Sequence, residues 1–551
     1  MSVVEEVSKL YDKHCCSRFK YIYGTAGFRY KAEILDTVLF TTGVLACLRS
    51  MHLKGQYVGA MITASHNPPQ DNGVKLVDPK GEMLKQEWEV YATELANCAS
   101  DGKHQFLHRL QELMNQFGIK ADSEARIVVA RDSRESGSRL LKALVDGTSV
   151  FTNVDIVDYD MLTTPQLHFL TYHLNRQMES ERVIEVNEAF YYSHFLSALK
   201  ELTELFNIPG LPYPLVIDAA NGVGGAKAEE LFMKNTFFKD STTIINGNWS
   251  QHDLLNSFCG ADYVKTNQCL PQGISAATDI NSLHCSFDGD ADRVIFYYRD
   301  VDGMFHLLDG DKISTLFAKF FQSMLPVAGI QDNVKLGVVQ TAYANGSSTR
   351  YLSEVLIVPV SCTPTGVKYL HRKAVENYDV GIYFEANGHG TVIFSENFNN
   401  TVSKRLKEGS LSAESKMALK TLQSFSKLIN QTVGDAMSDM MAVLAVLCIL
   451  KWTPQQWDGE YTDLPNTLMK VVVPDRSLFK TTNAERQLVS PKGLQAQIDK
   501  VIKSYDNARS FVRASGTEDA VRIYAEAATK EQADDLSIKI SQLVISATVT
   551  A

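Results

Sequence analysis

Residues 215–232 read LVIDAANGVGGAKAEELF. An aliphatic run opens this stretch, a turn rich in Asn and Gly follows, and a helical pattern closes it. The same order of strand, turn and helix recurs in residues 127–144 and 335–352. Strands that alternate with helices in this way are typical of βαβ units around mostly parallel sheets. The body of the chain is therefore predicted to be α/β.

The C-terminal part of the chain differs from this pattern. Residues 511–513 and 521–528 predict two strands that flank a Ser-Gly-Thr loop. Thr529 and Gln532 form a capping-box pattern ahead of a helix. The apolar face of that helix comprises Ala533, Leu536, Ile540 and Leu543. This order predicts a small α+β domain at the end of the chain.

The length of the chain, 551 residues, is too great for one hydrophobic core. It predicts roughly three or four domains. Hydrophobic residues make up 45% of the chain and charged residues 21%, which is typical of a folded globular protein. Polar, charge-rich stretches at 177–188, 300–303 and 451–463 are the candidate domain boundaries.

The charge and cysteine patterns exclude several classes of protein. The formal net charge is −10 and no long basic run interrupts it, which argues against nucleic acid or an anionic membrane as the main partner. Nine cysteines without a CxxC pair argue against a disulfide framework or a zinc site. The N-terminus is polar and acidic, and the apolar run at 440–450 predicts a buried helix too short to span a membrane. We expect a cytosolic protein with no nucleic acid, membrane or obligate protein partner.

The first loop with chemical potential reads TASHNP at residues 63–68. It directly follows an apolar strand predicted at 57–62, so Ser65 would sit on a rigid support with its hydroxyl free to project. Asp71 to Lys75 continue the segment. The alternative is that Ser65 and Asn67 only make turn hydrogen bonds.

The second loop reads DGDADR at residues 288–293, between two apolar strands. Three carboxylates at alternate positions repel one another, and such a cluster is stable chiefly when a hard divalent cation neutralises it. An EF-hand is excluded because Arg293 and Arg299 stand where its turn glycine and bidentate glutamate belong. A phosphatase of the haloacid-dehalogenase type, with Asp288 as nucleophile, and a solvated hairpin remain as alternatives.

Two further loops carry groups that suit a sugar phosphate. The third reads FEANGHG at 384–390, where Glu385 and Asn387 can face neighbouring sugar hydroxyls. The fourth reads RASGTE at 513–518 and is followed by Arg522. Two guanidinium groups with hydroxyl and backbone N–H donors predict a site for a phosphate that does not itself react.

The four loops, in this order, resemble those of the α-D-phosphohexomutase family, whose members carry a serine, a metal, a sugar and a phosphate loop on four successive domains. Further matching stretches are GTAGFR at 24–29, ARDSR at 130–134 and DAANGVGG at 218–225. The sugar loop departs from the usual family pattern, which begins Gly-Glu and has Ser in place of Asn387. Its form is similar to that of the eukaryotic members that act on N-acetylglucosamine phosphates, and TGVK at 365–368 resembles their specificity loop.

The resemblance implies a domain arrangement. Three α/β domains with mixed, mostly parallel sheets and a small C-terminal α+β domain would surround one central cleft. We predict boundaries at 1–187 for the serine loop, 188–302 for the metal loop, 303–455 for the sugar loop and 456–551 for the phosphate loop.

The resemblance also implies an isomerase that interconverts N-acetylglucosamine 6-phosphate and 1-phosphate and feeds UDP-N-acetylglucosamine synthesis. Ser65 would be a phosphoserine, the 1,6-bisphosphate an intermediate, and one Mg²⁺ would be held by Ser65, Asp288, Asp290 and Asp292. The substrate would contact Thr365, Gly366, Glu385, Ala386, Asn387, His389, Arg513, Ala514, Ser515, Gly516, Thr517 and Arg522.

The acid and base stay open at the level of sequence. Candidates that could touch the reacting oxygen or the transferring phosphate are Arg29, His66, Lys75, Arg293 and His389. Two other functions also stay open: a mutase for glucose or mannose phosphates, and a non-catalytic sugar-phosphate-binding protein. The second would have no need for both Ser65 and the aspartates.

Overall fold

The computed structural model describes residues 3–15, 18–180, 184–274, 282–515 and 519–550. The chain forms two compact units. Unit 1 comprises Met1–Leu307 and Lys427–Ala445, and unit 2 comprises Leu308–Ser426 and Val446–Ala551. Both units combine helices with sheets, so the predicted α/β class is confirmed.

The first sheet of unit 1 has the strand order β1–β3–β2–β4–β5. Its strands are β1 Phe28–Lys31, β2 Tyr57–Ile62, β3 Asp71–Val77, β4 Ala125–Arg131 and β5 Val154–Met161. Its helices are α1 Val3–His14, α2 Asp36–His52, α3 Gln86–Asp101, α4 Lys103–Phe117, α5 Gly137–Thr148 and α6 Thr164–Met178. Strands β2, β4 and β5 are parallel, whereas β3 runs antiparallel to β1 and β2. Because α2 and α6 pack against β2, five of its six residues are buried.

The second sheet of unit 1 has the order β10–β9–β8–β6–β7. Its strands are β6 Leu215–Asp218, β7 Thr242–Ile245, β8 Leu283–Phe287, β9 Val294–Arg299 and β10 Phe305–Leu308. The accompanying helices are α7 Glu188–Leu205, α8 Val223–Phe232 and α9 Ala261–Asn267. The opening motif of the sequence forms β6 and α8, as predicted. Strands β8 and β9 are antiparallel neighbours, so the aspartate loop joins them at one end of the sheet.

The third sheet lies in unit 2 and has the order β12–β11–β13–β14. Its strands are β11 Leu336–Thr341, β12 Val360–Thr363, β13 Val380–Phe384 and β14 Gly390–Phe394. The helices of this part of the chain are α10 Gly310–Ala328, α11 Gly346–Arg350, α12 Val367–Asn377, α13 Glu396–Leu406, α14 Ala413–Leu428, α15 Ala436–Leu450 and α16 Pro454–Asp458, of which α15 begins in unit 1. The apolar run at 440–450 forms most of α15, as predicted. Strands β13 and β14 are antiparallel and present the sugar loop between them.

The end of the chain forms a small α+β layer in unit 2. The strands are β15 Asn466–Val472, β16 Lys480–Thr482, β17 Gln487–Ser490, β18 Arg509–Ala514 and β19 Ala520–Glu526, and the helices are α17 Leu494–Ile502 and α18 Lys530–Thr550. Strands β15, β19 and β18 form one antiparallel sheet, and β16 pairs with β17. The predicted helix face at Leu536 and Ile540 is buried against this sheet. The division into four domains at these bounds remains a prediction.

None of the helices among the described residues combines the length and apolarity that crossing a membrane requires.

Candidate active site

Ser65 lies just beyond the end of β2, where the chain turns. Its backbone has a φ of 54°, a left-handed conformation that is uncommon for a residue with a side chain and is typical of functional turns. The Ser65 hydroxyl donates to Asp288 Oδ2 at 2.8 Å. Both residues are fully buried. The structure thus brings together the serine loop and the aspartate loop, which are far apart in sequence.

The carboxylates of Asp288, Asp290 and Asp292 form one buried cluster. An oxygen from each lies within 4.8 Å of the others. Burial and the charges of Asp292 and Asp290 raise the pKa of Asp288 well above its usual range. Like charges held this close are costly unless a cation shares the site.

The cluster fits a hard divalent cation. Carboxylate oxygens are the ligands that Mg²⁺ prefers. Asp290 Oδ1 is buried and accepts no hydrogen bond from the described residues, so it is available as a ligand. Unsatisfied buried carboxylate oxygens are rare in proteins. Within the parts of the chain that the structure describes, this is the one group of three or more metal-binding side chains that could hold an ion.

Two helix N-termini fix the backbone of the aspartate loop. The N–H of Thr164, at the start of α6, donates to the Asp290 carbonyl at 3.1 Å. The N–H of Ala436, at the start of α15, donates to the Ala291 carbonyl at 3.0 Å. The neighbouring Gly289 permits close approach, because a Cβ there would lie 2.6 Å from the Ser65 carbonyl oxygen. The loop is therefore held by its surroundings as well as by its own turn.

Arg134 holds the serine loop through hydrogen bonds to its backbone. Its side chain is fully buried and its Nε donates to Asp132 Oδ2 at 3.1 Å. The two Nη atoms donate to backbone carbonyls of the serine segment, at 2.9 Å to Ser65, 2.8 Å to Asn67, 2.6 Å to Pro68 and 2.8 Å to Asp71. One guanidinium group thus satisfies carbonyls that an irregular buried loop would leave without donors.

Thr63 and Thr164 connect the two loops through their hydroxyl groups. Thr63 Oγ1 accepts the Ser65 N–H at 2.9 Å and lies 2.7 Å from Asp132 Oδ2 and 3.2 Å from Asp290 Oδ2. Thr164 Oγ1 donates to Asp290 Oδ2 at 2.6 Å. Partners of this kind orient the ligating carboxylates in metal sites.

The predicted catalytic cations lie around the same cluster. Lys75 Nζ lies 2.9 Å from Asp292 and 3.2 Å from Asp290. Burial opposes its charge, but these two carboxylates raise the pKa of Lys75 above its ordinary value, so the amine stays protonated. Arg293 Nε lies 3.8 Å from both Asp288 and Asp292. Burial, together with the charge of Arg293, lowers the pKa of Arg29.

His66 is kept neutral by these cations. The charge of Arg293, followed by burial and the charge of Arg29, lowers the pKa of His66 to about 2. Its Nδ1 is buried and makes no hydrogen bond within the described residues. At neutral pH the imidazole therefore carries no charge, and the positive charge at this site comes from the lysine and the two arginines.

The sugar loop in unit 2 is a hydrogen-bonded turn. Glu385 Oε2 accepts from Asn387 Nδ2 at 3.3 Å, and the His389 N–H donates to Asn387 Oδ1 at 2.9 Å. Glu385 Oε1 accepts the N–H of Gly366 at 3.1 Å. Glu385 and Asn387 are partly exposed, as is Ala386 between them, whereas His389 is buried. The two polar side chains can therefore still meet a ligand.

The phosphate loop follows β18 in the same unit. Arg513 and Arg522 lie directly opposite each other on β18 and β19, an arrangement of like charges that costs stability and favours an anion nearby. Arg513 Nη1 lies 3.1 Å from Glu485 Oε2. Ala514 ends β18, and the Ser515 N–H donates to the Ala520 carbonyl. Gly516 and Thr517 lie outside the described residues.

Sequence reasoning missed several residues that shape these sites: Thr63, Asp132, Arg134, Thr164 and Glu485. The ARDSR stretch contains two of them, and a buried Asp–Arg pair after a strand was a signal that could have identified them. Nothing in the local sequence marks Thr164 or Glu485, because their partners are distant in the chain.

Family comparisons cover nearly the whole chain. Residues 309–452 match phosphoacetylglucosamine mutase AMG1, domain III, and residues 182–295 match domain II of the same family. Residues 25–97 and 103–184 match the phosphoglucomutase/phosphomannomutase alpha/beta/alpha domain I, and residues 468–542 match the C-terminal domain of that family.

Individual relatives agree with these matches. The phosphoacetylglucosamine mutase of Saccharomyces cerevisiae is 53% identical over 95% of this chain and 95% of its own length. A crystal structure of an N-acetylglucosamine-phosphate mutase in the substrate complex, from the alpha-D-phosphohexomutase superfamily, is 50% identical with a TM-score of 0.93, over 99% of this chain and 100% of its own. The N-acetylphosphoglucosamine mutase of Aspergillus fumigatus, solved with GlcNAc-6P and magnesium, is 45% identical with a TM-score of 0.92, over 100% of this chain and 99% of its own. A variant of that protein was solved with glucose 1,6-bisphosphate.

Proposed function

We propose that this chain, which belongs to the phosphoacetylglucosamine mutase family within the α-D-phosphohexomutase superfamily, interconverts N-acetylglucosamine 6-phosphate and N-acetylglucosamine 1-phosphate. The enzyme is an isomerase that transfers a phosphoryl group within its substrate. The observation that carries the proposal is the buried Ser65 hydroxyl, hydrogen-bonded at 2.8 Å to a cluster of three carboxylates. A sugar-binding protein without chemistry would not need this arrangement.

Ser65 is the proposed carrier of the phosphoryl group. Phosphorylated Ser65 gives its phosphoryl group to the free hydroxyl of the sugar phosphate, and the resulting 1,6-bisphosphate returns its other phosphoryl group to Ser65. The Ser65 Oγ–P bond breaks as the sugar O–P bond forms, and the reverse exchange then regenerates the phosphoserine. The Arg134 hydrogen bonds hold the backbone of Ser65 in place through both exchanges, so that positioning replaces much of the covalent work.

Mg²⁺ is the proposed cofactor, with hexose 1,6-bisphosphate as the intermediate or activator. Asp288, Asp290, Asp292 and an oxygen on Ser65 would hold the one ion, which supplies a Lewis acid beside the transferring group. Arg29, Lys75 and Arg293 place further positive charge at the same site and stabilise the phosphoryl oxygens. His66 is a neutral imidazole with a pKa of about 2, so its proposed role is a hydrogen bond to the reacting oxygen rather than proton abstraction.

The substrate-binding roles are proposed for unit 2. Glu385 and Asn387 accept and donate to sugar hydroxyls, with His389 buried behind them and Thr365 and Gly366 beside them. Arg513, Ser515 and Arg522 hold the phosphate that does not react, with Ala514, Gly516 and Thr517 as neighbours in the loop. We also propose the four-domain division given above and a cytosolic location. A small sugar phosphate is the proposed partner.

Activity on a panel of sugar phosphates tests the function. The purified protein with Mg²⁺ is expected to convert N-acetylglucosamine 6-phosphate with a kcat/KM at least about tenfold above that for glucose or mannose 6-phosphate, since one substrate group is worth about that much discrimination. Equal or better activity on the unacetylated sugars would show a mutase of different specificity.

Intact-mass measurement tests the phosphoserine separately. After incubation with hexose 1,6-bisphosphate, the protein is expected to gain one phosphoryl group that maps to Ser65, whereas Ser65→Ala gains none. A wild-type protein that stays unmodified and inactive would favour the non-catalytic binding protein.

A further inference from the structure

Glu485 occupies the turn between β16 and β17, a hairpin to which the sequence assigned no function. Asn483, Ala484 and Glu485 have φ values of 52°, 54° and 66°. Three consecutive left-handed residues with side chains are unusual, and strained backbone of this kind concentrates where a side chain must be aimed. The backbone of this turn therefore sets where the Glu485 side chain reaches.

The carboxylate of Glu485 bonds to two segments outside its own hairpin. Its Oε2 accepts the Thr365 N–H at 2.8 Å and the Thr365 hydroxyl at 2.5 Å. The same oxygen lies 3.1 Å from Arg513 Nη1, and Oε1 lies 3.4 Å from that nitrogen. A glutamate that served only to stabilise the hairpin would bond within it.

The contact at Thr365 continues to the sugar loop. The next residue, Gly366, donates its N–H to Glu385 Oε1 at 3.1 Å, and Glu385 Oε2 accepts from Asn387. Gly310 allows this loop to lie close to α10, because a Cβ there would approach the Glu385 carbonyl oxygen to 1.9 Å. Hydrogen bonds thus connect Arg513 to Glu485 and Glu485 to Thr365, and the adjoining Gly366 continues the connection to the sugar loop.

Arg513 has a donor left unused while it makes this contact. Glu485 meets only its Nη1, and its Nε makes no hydrogen bond to any described residue. The guanidinium group has five donors in a planar fork, so a phosphate can bind donors that Glu485 leaves unused and the two anions can share one arginine.

We infer that Glu485 is a positioning residue that connects the phosphate-binding Arg513 to the sugar-binding loop and fixes the spacing between them. The inference rests on the proposed function, because it takes one ligand to reach both places. Glu485 contacts no reacting atom. Its contribution is to let one sugar phosphate engage both sites at once, so that the second contact forms at a high effective concentration.

Three ligands of different reach separate this role from a structural one. Inorganic phosphate can occupy the Arg513 site without engaging the sugar loop, N-acetylglucosamine can occupy the sugar loop without engaging Arg513, and N-acetylglucosamine 6-phosphate engages both. Their dissociation constants are measured by calorimetry with Mg²⁺ in a Ser65→Ala background, which prevents turnover. The Glu485→Gly variant removes the side chain and eases the left-handed backbone, and Glu485→Gln keeps an acceptor for Thr365 but loses the charge.

The expected result is an unequal effect on the three ligands. Glu485→Gly should weaken the sugar phosphate at least tenfold while inorganic phosphate and N-acetylglucosamine each change less than threefold. Glu485→Gln should weaken the sugar phosphate about threefold, because the contact to Thr365 persists while the charged contact to Arg513 is lost. In the catalytic protein with Ser65 intact, Glu485→Gly should raise KM at least tenfold and leave kcat within threefold.

Two results would overturn the inference. If inorganic phosphate weakens by the same factor as the sugar phosphate, Glu485 only maintains the phosphate loop. If the dissociation constant changes for none of the three ligands, the Glu485 carboxylate has no role in positioning the two sites. Arg486→Ala is the matched control in the same turn, because Arg486 hydrogen-bonds to Asn483 within the turn itself, and it should change the affinity for no ligand more than twofold.

The proposed function fails in a different way. If the unaltered protein neither binds nor converts N-acetylglucosamine 6-phosphate, the function is wrong. If it does both and Glu485→Gly behaves identically, only the role of Glu485 is wrong.

Discussion

Two regions of the molecule differ in burial and in what holds them. The first is the serine–metal centre, which comprises Ser65, Lys75, Asp288, Asp290 and Asp292. The second is the set of substrate loops, which comprises residues 365–366, 385–389, 513–515 and Arg522. All five side chains of the serine–metal centre are buried, and they are held by groups from several elements. Most residues of the substrate loops are partly exposed and are tied chiefly to one another through Glu485. The difference fits the tasks proposed for them: phosphoryl transfer needs atoms fixed to a fraction of an ångström, whereas a site that receives both orientations of a sugar must stay open to it.

The largest effect is expected from Ser65→Ala. Without the hydroxyl no phosphoryl carrier exists, so turnover should fall by roughly four orders of magnitude or more. Binding of N-acetylglucosamine 6-phosphate, measured by calorimetry, should remain detectable because the substrate loops are untouched. Ser193→Ala is the control and should keep full activity, because the Ser193 hydroxyl on α7 donates to the nearby Phe190 carbonyl. A Ser65→Ala protein with most of its activity would disprove the serine carrier.

The next largest effect is expected from Asp290→Asn. Asn cannot replace the charge of a carboxylate ligand, so the apparent affinity for Mg²⁺ should fall about 10- to 100-fold or more. The measurement is activity against Mg²⁺ concentration. Asp302→Asn, at an exposed position in the β9–β10 turn, should leave that curve unchanged. If the two variants give the same curve, Asp290 is not a ligand.

Arg134→Lys should have a smaller effect that distinguishes the two regions. A lysine cannot make the five hydrogen bonds of the guanidinium group, so kcat should fall about 10-fold while KM changes little. The free energy of unfolding should fall by about 3 kcal/mol, because buried partners lose their donors. Urea denaturation and steady-state kinetics measure the two effects.

The matched control for Arg134 is Arg131→Lys on the same segment. Arg131 bonds the exposed Asp160, so its replacement should cost less than about 1 kcal/mol and leave kcat unchanged. Equal effects at the two positions would contradict the claim that Arg134 positions Ser65.

The smallest effect is expected on the pH dependence of the free energy of unfolding, through a histidine on α6, the helix that begins at Thr164. Burial and the charges of His194 and Arg176 lower the pKa of His173, on α6, to about 4. An unfolded histidine binds its proton near pH 6.5, so between pH 6.5 and 4 the unfolded chain binds more protons and stability falls as pH falls. His173→Phe, which preserves the ring packing against Phe169 and Phe190, should remove about 1 kcal/mol of that loss at pH 5.

Urea unfolding of both proteins at pH 5 and pH 7.5 measures this difference. If the free energy of unfolding differs between the variant and the unaltered protein by the same amount at both pH values, His173 titrates normally in the folded protein.

The sequence predicted the elements that bear the loops with good accuracy. The strand expected at 57–62 is β2, and the strand–turn–helix motifs at 127–144, 215–232 and 335–352 form β4 with α5, β6 with α8, and β11 with α11. Periodicity and turn residues are local, so they survive in any tertiary setting. The three aspartates were also predictable, because their mutual repulsion is visible from their spacing alone.

The residues that hydrogen-bond to these loops from distant parts of the chain could not be predicted from the sequence. Thr164 lies 126 residues before its partner Asp290, and Glu485 lies 120 residues after Thr365. No alternation of apolar and polar residues encodes a contact between such distant points. The hydrogen bonds that select Arg134 from among many arginines appear only when the loop carbonyls converge on it.

By itself, the sequence determined the α/β class, the buried strands and the residue types capable of phosphoryl transfer, because side-chain chemistry and short-range backbone preferences are properties of neighbouring residues. Tertiary structure alone decided that the Ser65 hydroxyl meets Asp288, that Lys75 joins the carboxylates, and that Glu485 links Arg513 to Thr365. The physical reason is that hydrogen bonds and charge interactions act over a few ångströms of space, whatever the separation along the chain.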